Sequence, residues 1–215
     1  AHRPGNIDEA LARGARAAKL YMSHYNSQTD LEELPDAVFN KQTDEVAFIG
    51  HYENDSRIDA IDFLFSKSIN LHIYGGDWKD AFITYGWPLD RLHNEASGKG
   101  YRELGQKVGI ALAFFSARNR DEYTRRCFEI PIMGTLIAAP LTSITKDIYK
   151  DGENAILFKD KEELYEKIMY YSSHIDERNK IAKQGYYNIK EGDFSEIARA
   201  KMVIKDFQKL LENYD

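Results

Sequence analysis

Short apolar runs alternate along the chain with segments whose apolar residues recur at helical spacing. The runs are four to seven residues long, which is typical of strands buried on both faces of a parallel sheet. The predicted strands lie at 45–50, 70–74, 89–93, 109–115, 135–139 and 155–158. The predicted helices between and after them lie at 55–67, 77–85, 101–107, 120–133, 142–149, 164–171 and 177–189. Asp55 is the predicted cap of the first of these helices. This alternation predicts an α/β domain with a doubly wound, mostly parallel sheet of about six strands and helices on both faces.

The two ends of the chain follow a different pattern. A helix is predicted from Ile7 to about Tyr21, with Asn6 and Glu9 forming a capping box. The polar stretch 26–44 is typical of a connector. Apolar residues at helical spacing within 197–211 predict a final helix with a long apolar stripe. We therefore divide the chain into a junction segment at 1–44, a main domain at 45–193 and a C-terminal helix at 194–215.

Composition narrows the function classes. The 215 residues are 43% hydrophobic and 30% charged, as in ordinary globular proteins. The net charge of −6 argues against nucleic acid as a main partner. No apolar run approaches the ~20 residues of a membrane span, and Cys127 is the only cysteine. These features predict a cytoplasmic protein. Because the sequence begins without Met, we also expect it to be part of a longer protein.

Several catalytic motifs are absent from the sequence. No G-x-G-x-x-G follows the first strand, where Gly50 is followed by His51, and there is no P-loop. There is also no H-E-x-x-H, no Ser nucleophile elbow and no Cys/His cluster with metal-ligand spacing. Nicotinamide chemistry, P-loop hydrolysis, zinc hydrolysis and α/β-hydrolase chemistry are therefore not expected.

The most informative stretch runs from 109 to 139. After its buried strand come four arginines within nine residues: Arg118, Arg120, Arg125 and Arg126. Asn119 and Glu122 form a capping-box pattern, which predicts a helix N-terminus at the carboxyl end of this strand. Free N–H groups and guanidinium groups favour an anion there, where open α/β sheets bind ligands.

A carboxylate lies close to this predicted anion site. Glu129 is flanked by Phe128 and Ile130, and an acid beside a phosphate-like site suggests hydroxyl groups held next to phosphate, as in a nucleotide sugar. The same pattern also fits a solvated arginine face in which Glu129 forms a structural ion pair. The residues alone leave both interpretations open.

Three blocks together resemble a known family. They are NRDEYTRRCFEIPIMGTLIAA at 119–139, IYKDGENAILFKDKEELYEKIMYY at 148–171 and DERNKIAKQG at 176–185. They resemble the C-terminal half of GT-B glycosyltransferases, with the spore-maturation CgeB-like branch the most similar. The resemblance extends over about 45–207 and implies a Rossmann-like domain that binds the nucleotide-sugar donor, with the acceptor bound by a separate N-terminal domain.

The resemblance also implies roles for individual residues. Glu129 occupies the second acid of the family's Glu-x7-Glu motif and would accept hydrogen bonds from ribose hydroxyls. Asp121 occupies the first and would lie near the donor sugar, as the catalytic residue. Arg126 would bind diphosphate or orient Glu129. The remaining implied donor-binding positions are Gly50, His51, Arg118, Asn119, Arg120, Gly134 and Thr135.

Two functions follow from this resemblance. The first is donor binding for glycosyl transfer from a nucleoside diphosphate sugar to an unidentified acceptor. It would need no metal, because arginines and a helix N-terminus would stabilise the leaving diphosphate and no Asp-x-Asp motif is present. The isolated chain, lacking the acceptor domain, should show little transfer. The second is a non-enzymatic module of the same fold that binds a nucleotide or a partner protein.

Overall fold

A six-stranded parallel sheet forms the centre of the molecule, in a computed structural model that describes residues 3–30, 33–192 and 194–212. The strands are β1 Val46–Ile49, β2 Leu71–Tyr74, β3 Leu92–His93, β4 Ile110–Leu112, β5 Leu136–Pro140 and β6 Ile156–Phe158. Their order across the sheet is β3-β2-β1-β4-β5-β6, and every neighbouring pair is parallel. This is the order of a doubly wound Rossmann-like fold, so the predicted fold class is confirmed.

Each central strand is buried on both faces, because alternate side chains enter two different cores. Along β1, Val46 and Phe48 belong to one core, whereas Ala47 and Ile49 belong to the other. Along β5, Ile137 joins the second of these cores. This arrangement explains why the strands have continuous apolar sequences instead of alternating ones.

Helices cover the two faces of the sheet and extend beyond it. They are α1 Gly5–Ala12, α2 Ser56–Ser66, α3 Lys79–Tyr85, α4 Gly98–Lys107, α5 Arg126–Ile132, α6 Ser143–Ile148, α7 Lys161–Ser173, α8 Ile175–Glu191 and α9 Glu196–Glu212. Within the described ranges, no helix has the length and apolar character needed to cross a membrane.

The prediction that Asn119 caps the helix after β4 is wrong. Residues 117–120 form a turn, and α5 begins only at Arg126. The hydroxyl and carbonyl of Ser116 accept from the N–H groups of Asn119 (3.2 Å) and Asp121 (3.0 Å). Arg120 takes φ +54°, a left-handed conformation that a right-handed helix cannot include. The local hydrogen bonds of Ser116 thus replace the predicted capping box.

The N-terminal helix is shorter than predicted, since α1 ends at Ala12 and Gly14 follows with φ +93°. The segment after Gly14 contacts α9 and the residue that precedes it. Tyr25 pairs with Ser195 as an isolated parallel bridge, and Tyr21 donates to Asp206 at 2.8 Å. Phe39, in a short 3-10 helix at Asp36–Phe39, enters the core. The division at 44/45 and 193/194 stays a prediction.

Candidate functional site

The candidate site lies where the winding of the sheet reverses, between the carboxyl ends of β1 and β4. The chain leaves β1 toward α2 and leaves β4 toward α5, so the two following loops separate and leave a crevice. A cavity of about 140 Å³ opens there. Its lining includes Gly50, Arg57, Ser116, Asn119, Asp121 and Arg126.

Glu129 is an acid beside this crevice that is held by two arginines. It lies in the first turn of α5, and its side chain is only 11% exposed. Its Oε1 is 2.7 Å from the Arg125 guanidinium, and its Oε2 accepts from Arg126 at 3.0 Å. Two cations therefore hold a largely buried carboxylate in one orientation. A carboxylate has about four acceptor positions, so capacity remains for a ligand hydroxyl.

Arg126 joins this carboxylate to the first strand. Its Nε donates to the carbonyl of Ile49 at 3.0 Å, and its guanidinium lies 4.6 Å from the centre of the Tyr101 ring. The Tyr101 hydroxyl donates to Glu129 at 3.5 Å, and burial raises the pKa of Tyr101, so this group remains a neutral donor. The ring and the strand carbonyl together restrict Arg126 to the crevice side of α5.

The N-terminal segment reaches the same region through two ion pairs. Arg3 Nε contacts Asp121 Oδ1 at 2.5 Å, and Arg120 pairs with Glu9 at 2.8 Å. Asp121 lies in the loop before α5 and not on the helix that carries Glu129. The two acids of the Asp-x7-Glu pattern thus occupy different elements.

Other predicted residues surround the crevice with greater exposure. His51 follows β1, and its Nε2 lies 3.5 Å from Glu95. Gly50 and Asn119 line the cavity itself. Arg118 is exposed and lines an adjoining cleft of about 550 Å³ together with Tyr52 and Asn54. The structure thus brings Gly50, Asn119, Asp121 and Arg126 to one cavity, with His51, Arg118, Arg120 and Glu129 near it.

Gly134 and Thr135 do not belong to this group. They precede β5, whose register places Leu136 beside Ile110, so they lie at the amino ends of the strands. Thr135 is 1% exposed and donates to the carbonyl of Gly105. The prediction that their backbone N–H groups approach the nucleotide-sugar donor is therefore wrong, because both residues lie at the opposite edge of the sheet from the crevice.

Thr135 belongs to a buried polar cluster that is centred on Lys41. Its buried Nζ donates to Thr135 Oγ1 and to the Gly105 carbonyl, each at 3.0 Å. Burial, together with the nearby Arg178 guanidinium, lowers the pKa of Lys41 to about 7. This polar cluster fastens the amino edge of the sheet.

No group of three or more His, Cys, Asp or Glu side chains suited to hold a metal ion occurs in the parts of the chain that the structure describes. The donors that surround the crevice are guanidinium and backbone groups, which match anionic oxygen atoms.

The segment that builds this site matches a known protein family. A family model described as glycosyl transferase-like matches residues 57–204, more than two thirds of the chain and including the crevice side of β4 and α5. The chain belongs to the glycosyl transferase-like family. No curated protein sequence matches it.

Solved structures show that this glycosyl transferase-like chain has the Rossmann-like fold found in GT-B glycosyltransferase structures. Anabaena HepE, solved in complex with UDP-glucose, matches with a TM-score of 0.72 at 13% identity over 97% of this chain. Sucrose-phosphate synthase from Thermosynechococcus elongatus matches with a TM-score of 0.72 at 13% identity over 99% of this chain. This chain spans 63% and 58% of the lengths of those two proteins.

A structure of an isolated domain gives a third comparison. The C-terminal domain of a glycosyl transferase group 1 family protein (LpcC) from Francisella tularensis matches with a TM-score of 0.51 at 15% identity. The match covers 78% of this chain and 97% of that domain. This part of the glycosyl transferase-like fold therefore also occurs as a separately crystallised unit.

Sequence reasoning missed three residues in or beside the crevice of this glycosyl transferase-like domain: Asp55, Arg57 and Tyr101. Asp55 was recognised only as the cap of α2, which it is, accepting from Arg57 N at 3.1 Å. Arg57 follows it and could have been noticed as a cation in the first turn after β1. Tyr101 reaches Glu129 from α4, and no local signal in the sequence indicates that contact.

Proposed function

We propose that this chain is the donor-binding part of a glycosyltransferase. It binds a nucleoside diphosphate sugar and presents it for metal-independent transfer to an unidentified acceptor. The acceptor binds on a separate N-terminal domain, as the family resemblance implies, and the chain spans only 63% of the length of HepE. We also place the protein in the CgeB-like branch, on the three sequence blocks described above, and the reaction in the cytoplasm.

The observation that carries this proposal is the environment of Glu129. A carboxylate fixed by Arg125 and Arg126 beside the carboxyl end of β1 offers acceptors to ribose hydroxyls and places cations next to them. A diphosphate in the crevice would meet Arg126, and bidentate guanidinium–phosphate contact needs no divalent cation. Asp121 would face the donor sugar once Arg3 releases it.

Calorimetric titration of the chain with UDP, GDP, ADP and CDP, each with and without a chelator, tests donor binding. We expect one nucleoside diphosphate to bind, with an affinity that the chelator does not change. A strict dependence on Mg²⁺ or Mn²⁺ would contradict metal independence. Failure of every nucleotide to bind would favour the non-enzymatic, protein-binding alternative.

Transfer is tested separately on the longer protein and on this chain, by following release of the nucleoside diphosphate from the sugar nucleotide. We expect turnover by the longer protein and little or none by the 215-residue chain, because orientation of two reactants can supply ~7–11 kcal/mol of barrier reduction. Efficient transfer by this chain alone would show that its acceptor site lies within it.

A further inference from the structure

The two loops that flank the crevice are joined by one buried carboxylate. Asp55 Oδ1 accepts from the N–H of Arg57 at 3.1 Å, which caps α2, and from its Nε at 2.7 Å. Asp55 Oδ2 accepts from Arg57 Nη2 at 2.9 Å and from the backbone N–H of Ala117 at 3.3 Å. Asp55 belongs to the loop after β1, and Ala117 to the loop after β4.

Arg57 completes this connection on the β1 side. Its Nη1 donates to the carbonyl of His51 at 3.3 Å, and its Nη2 lies 3.2 Å from Glu53. The side chains of Arg57 and Asp55 are only 6% and 8% exposed. The guanidinium thus holds both ends of the loop 51–55, while the carboxylate attaches that loop to residue 117.

This connection lies at the base of the proposed phosphate site. The 140 Å³ cavity is lined by Arg57 and Asn119, and the adjoining 550 Å³ cleft is lined by Asp55, Ala117 and Arg118. The Asp55–Arg57 ion pair is bidentate and its side chains are largely buried, whereas the bond from the Ala117 N–H to Asp55 lies at an exposed position. The pair is a rigid connector, because each charged group would lose its partner if the pair opened.

We propose that Asp55, locked by Arg57, is a positioning residue that fixes the separation of the two loops between which the donor diphosphate binds. This inference rests on the proposed function. The carboxylate does not touch the donor. It acts by keeping the backbone at Gly50 and His51 at a fixed distance from the loop that contains Asn119 and Asp121. The hydrogen-bond donors for the diphosphate are then already in place before it binds.

The test is Asp55→Asn in the full chain. The side-chain oxygen of asparagine can still accept from the Arg57 backbone N–H. Its NH2 group, however, would replace Oδ2 and cannot accept from Arg57 Nη2 or from the Ala117 N–H, so the connection between the loops is lost. The probes are the preferred nucleoside diphosphate of the titration panel and its parent nucleoside, UDP and uridine if UDP is preferred. Hydrogen exchange of the free protein reports on residues 113–121.

The matched control is Asp160→Asn, because Asp160 caps α7 in the same way, by accepting from the Glu163 N–H at 2.8 Å.

We expect Asp55→Asn to weaken diphosphate binding about tenfold or more while nucleoside binding stays near that of the wild type, and to speed exchange at 113–121. Asp160→Asn should leave both affinities unchanged. A general loss of folded protein would lower both affinities by the same factor. An unchanged diphosphate-to-nucleoside ratio, with wild-type binding intact, overturns this inference alone. If the wild type binds no diphosphate, the proposed function fails and this inference fails with it.

Discussion

The hydroxyl of Tyr149 donates to the carbonyl of Cys127, in the first turn of α5. Pro131 lies four residues after Cys127 in the same helix and has no N–H to give to that carbonyl. A side chain from the segment after α6 therefore supplies the hydrogen bond that the proline removes. This substitution of partners allows a helix with an internal proline to be buried beside the candidate site.

We predict that Tyr149→Phe lowers the free energy of unfolding by about 1–3 kcal/mol, because it leaves the buried Cys127 carbonyl without a donor. Urea denaturation measures this change. Tyr170→Phe is the control, since the Tyr170 hydroxyl bonds to Glu177 at an exposed position where water can replace it. In a Pro131→Ala background, which restores the backbone N–H, Tyr149→Phe should cost less. Equal costs in the two backgrounds would show that the hydroxyl does not compensate for the proline.

We predict that Glu129→Gln lowers nucleoside diphosphate affinity about tenfold or more, because charge-assisted hydrogen bonds are worth roughly 1.5–3 kcal/mol. Calorimetry measures the affinity, and circular dichroism checks that the fold is retained. Glu163→Gln is the matched control: Glu163 also pairs with a cation one turn along its own helix, Lys167 at 2.8 Å, but lies on α7. Unchanged affinity in Glu129→Gln would refute the assignment to ribose.

We predict that Lys41 makes the protein more stable as pH rises from 7 toward 10. The pKa of Lys41 is lowered to about 7 in the folded state, chiefly by burial, from 10.5 in the unfolded chain. Between these values the unfolded state binds more protons, so the free energy of unfolding rises by up to about 1.4 kcal/mol per pH unit. Below pH 7 this contribution is constant.

The measurement for Lys41 is urea denaturation of the wild type and of Lys41→Met at pH 6 to 9.5. The difference in stability between the two proteins isolates this lysine from other titrating groups. We expect the wild type to gain stability relative to the variant above pH 7. Parallel stability curves would mean that Lys41 keeps its proton in the folded protein.

We predict that Gly134→Ala destabilises the fold by about 2–4 kcal/mol without changing nucleotide affinity. Gly134 has φ +76°, and an added Cβ would come within 2.8 Å of Val38 and 2.9 Å of Leu34. Left-handed strain costs about 1–2 kcal/mol, and overpacking costs about 1–3 kcal/mol. Thermal unfolding gives the first quantity and calorimetry the second. A specific loss of affinity in a folded variant would return Gly134 to the donor site.

The sequence by itself determined that the chain forms a parallel sheet with helices between its strands. Runs such as 45–50 and 155–158 are too short and too apolar for surface helices, and the helical spacings between them require crossover connections, which set the strands parallel. Asp55 was identified correctly as a helix cap, because a cap depends on residues only two or three positions away. Local rules succeed where the deciding contact is also local.

Tertiary structure decided the composition of the site. The capping pattern at Asn119 was overruled by the hydrogen bonds of Ser116, and α5 began instead at Arg126. Gly134 and Thr135 follow Glu129 closely in sequence, yet the direction of α5 carries them to the opposite edge of the sheet. Tyr101 reaches Glu129 across 28 residues of chain, and Asp55 reaches Ala117 across 62. Contacts of this kind depend on how separate strands are ordered in space, which no spacing along the chain records.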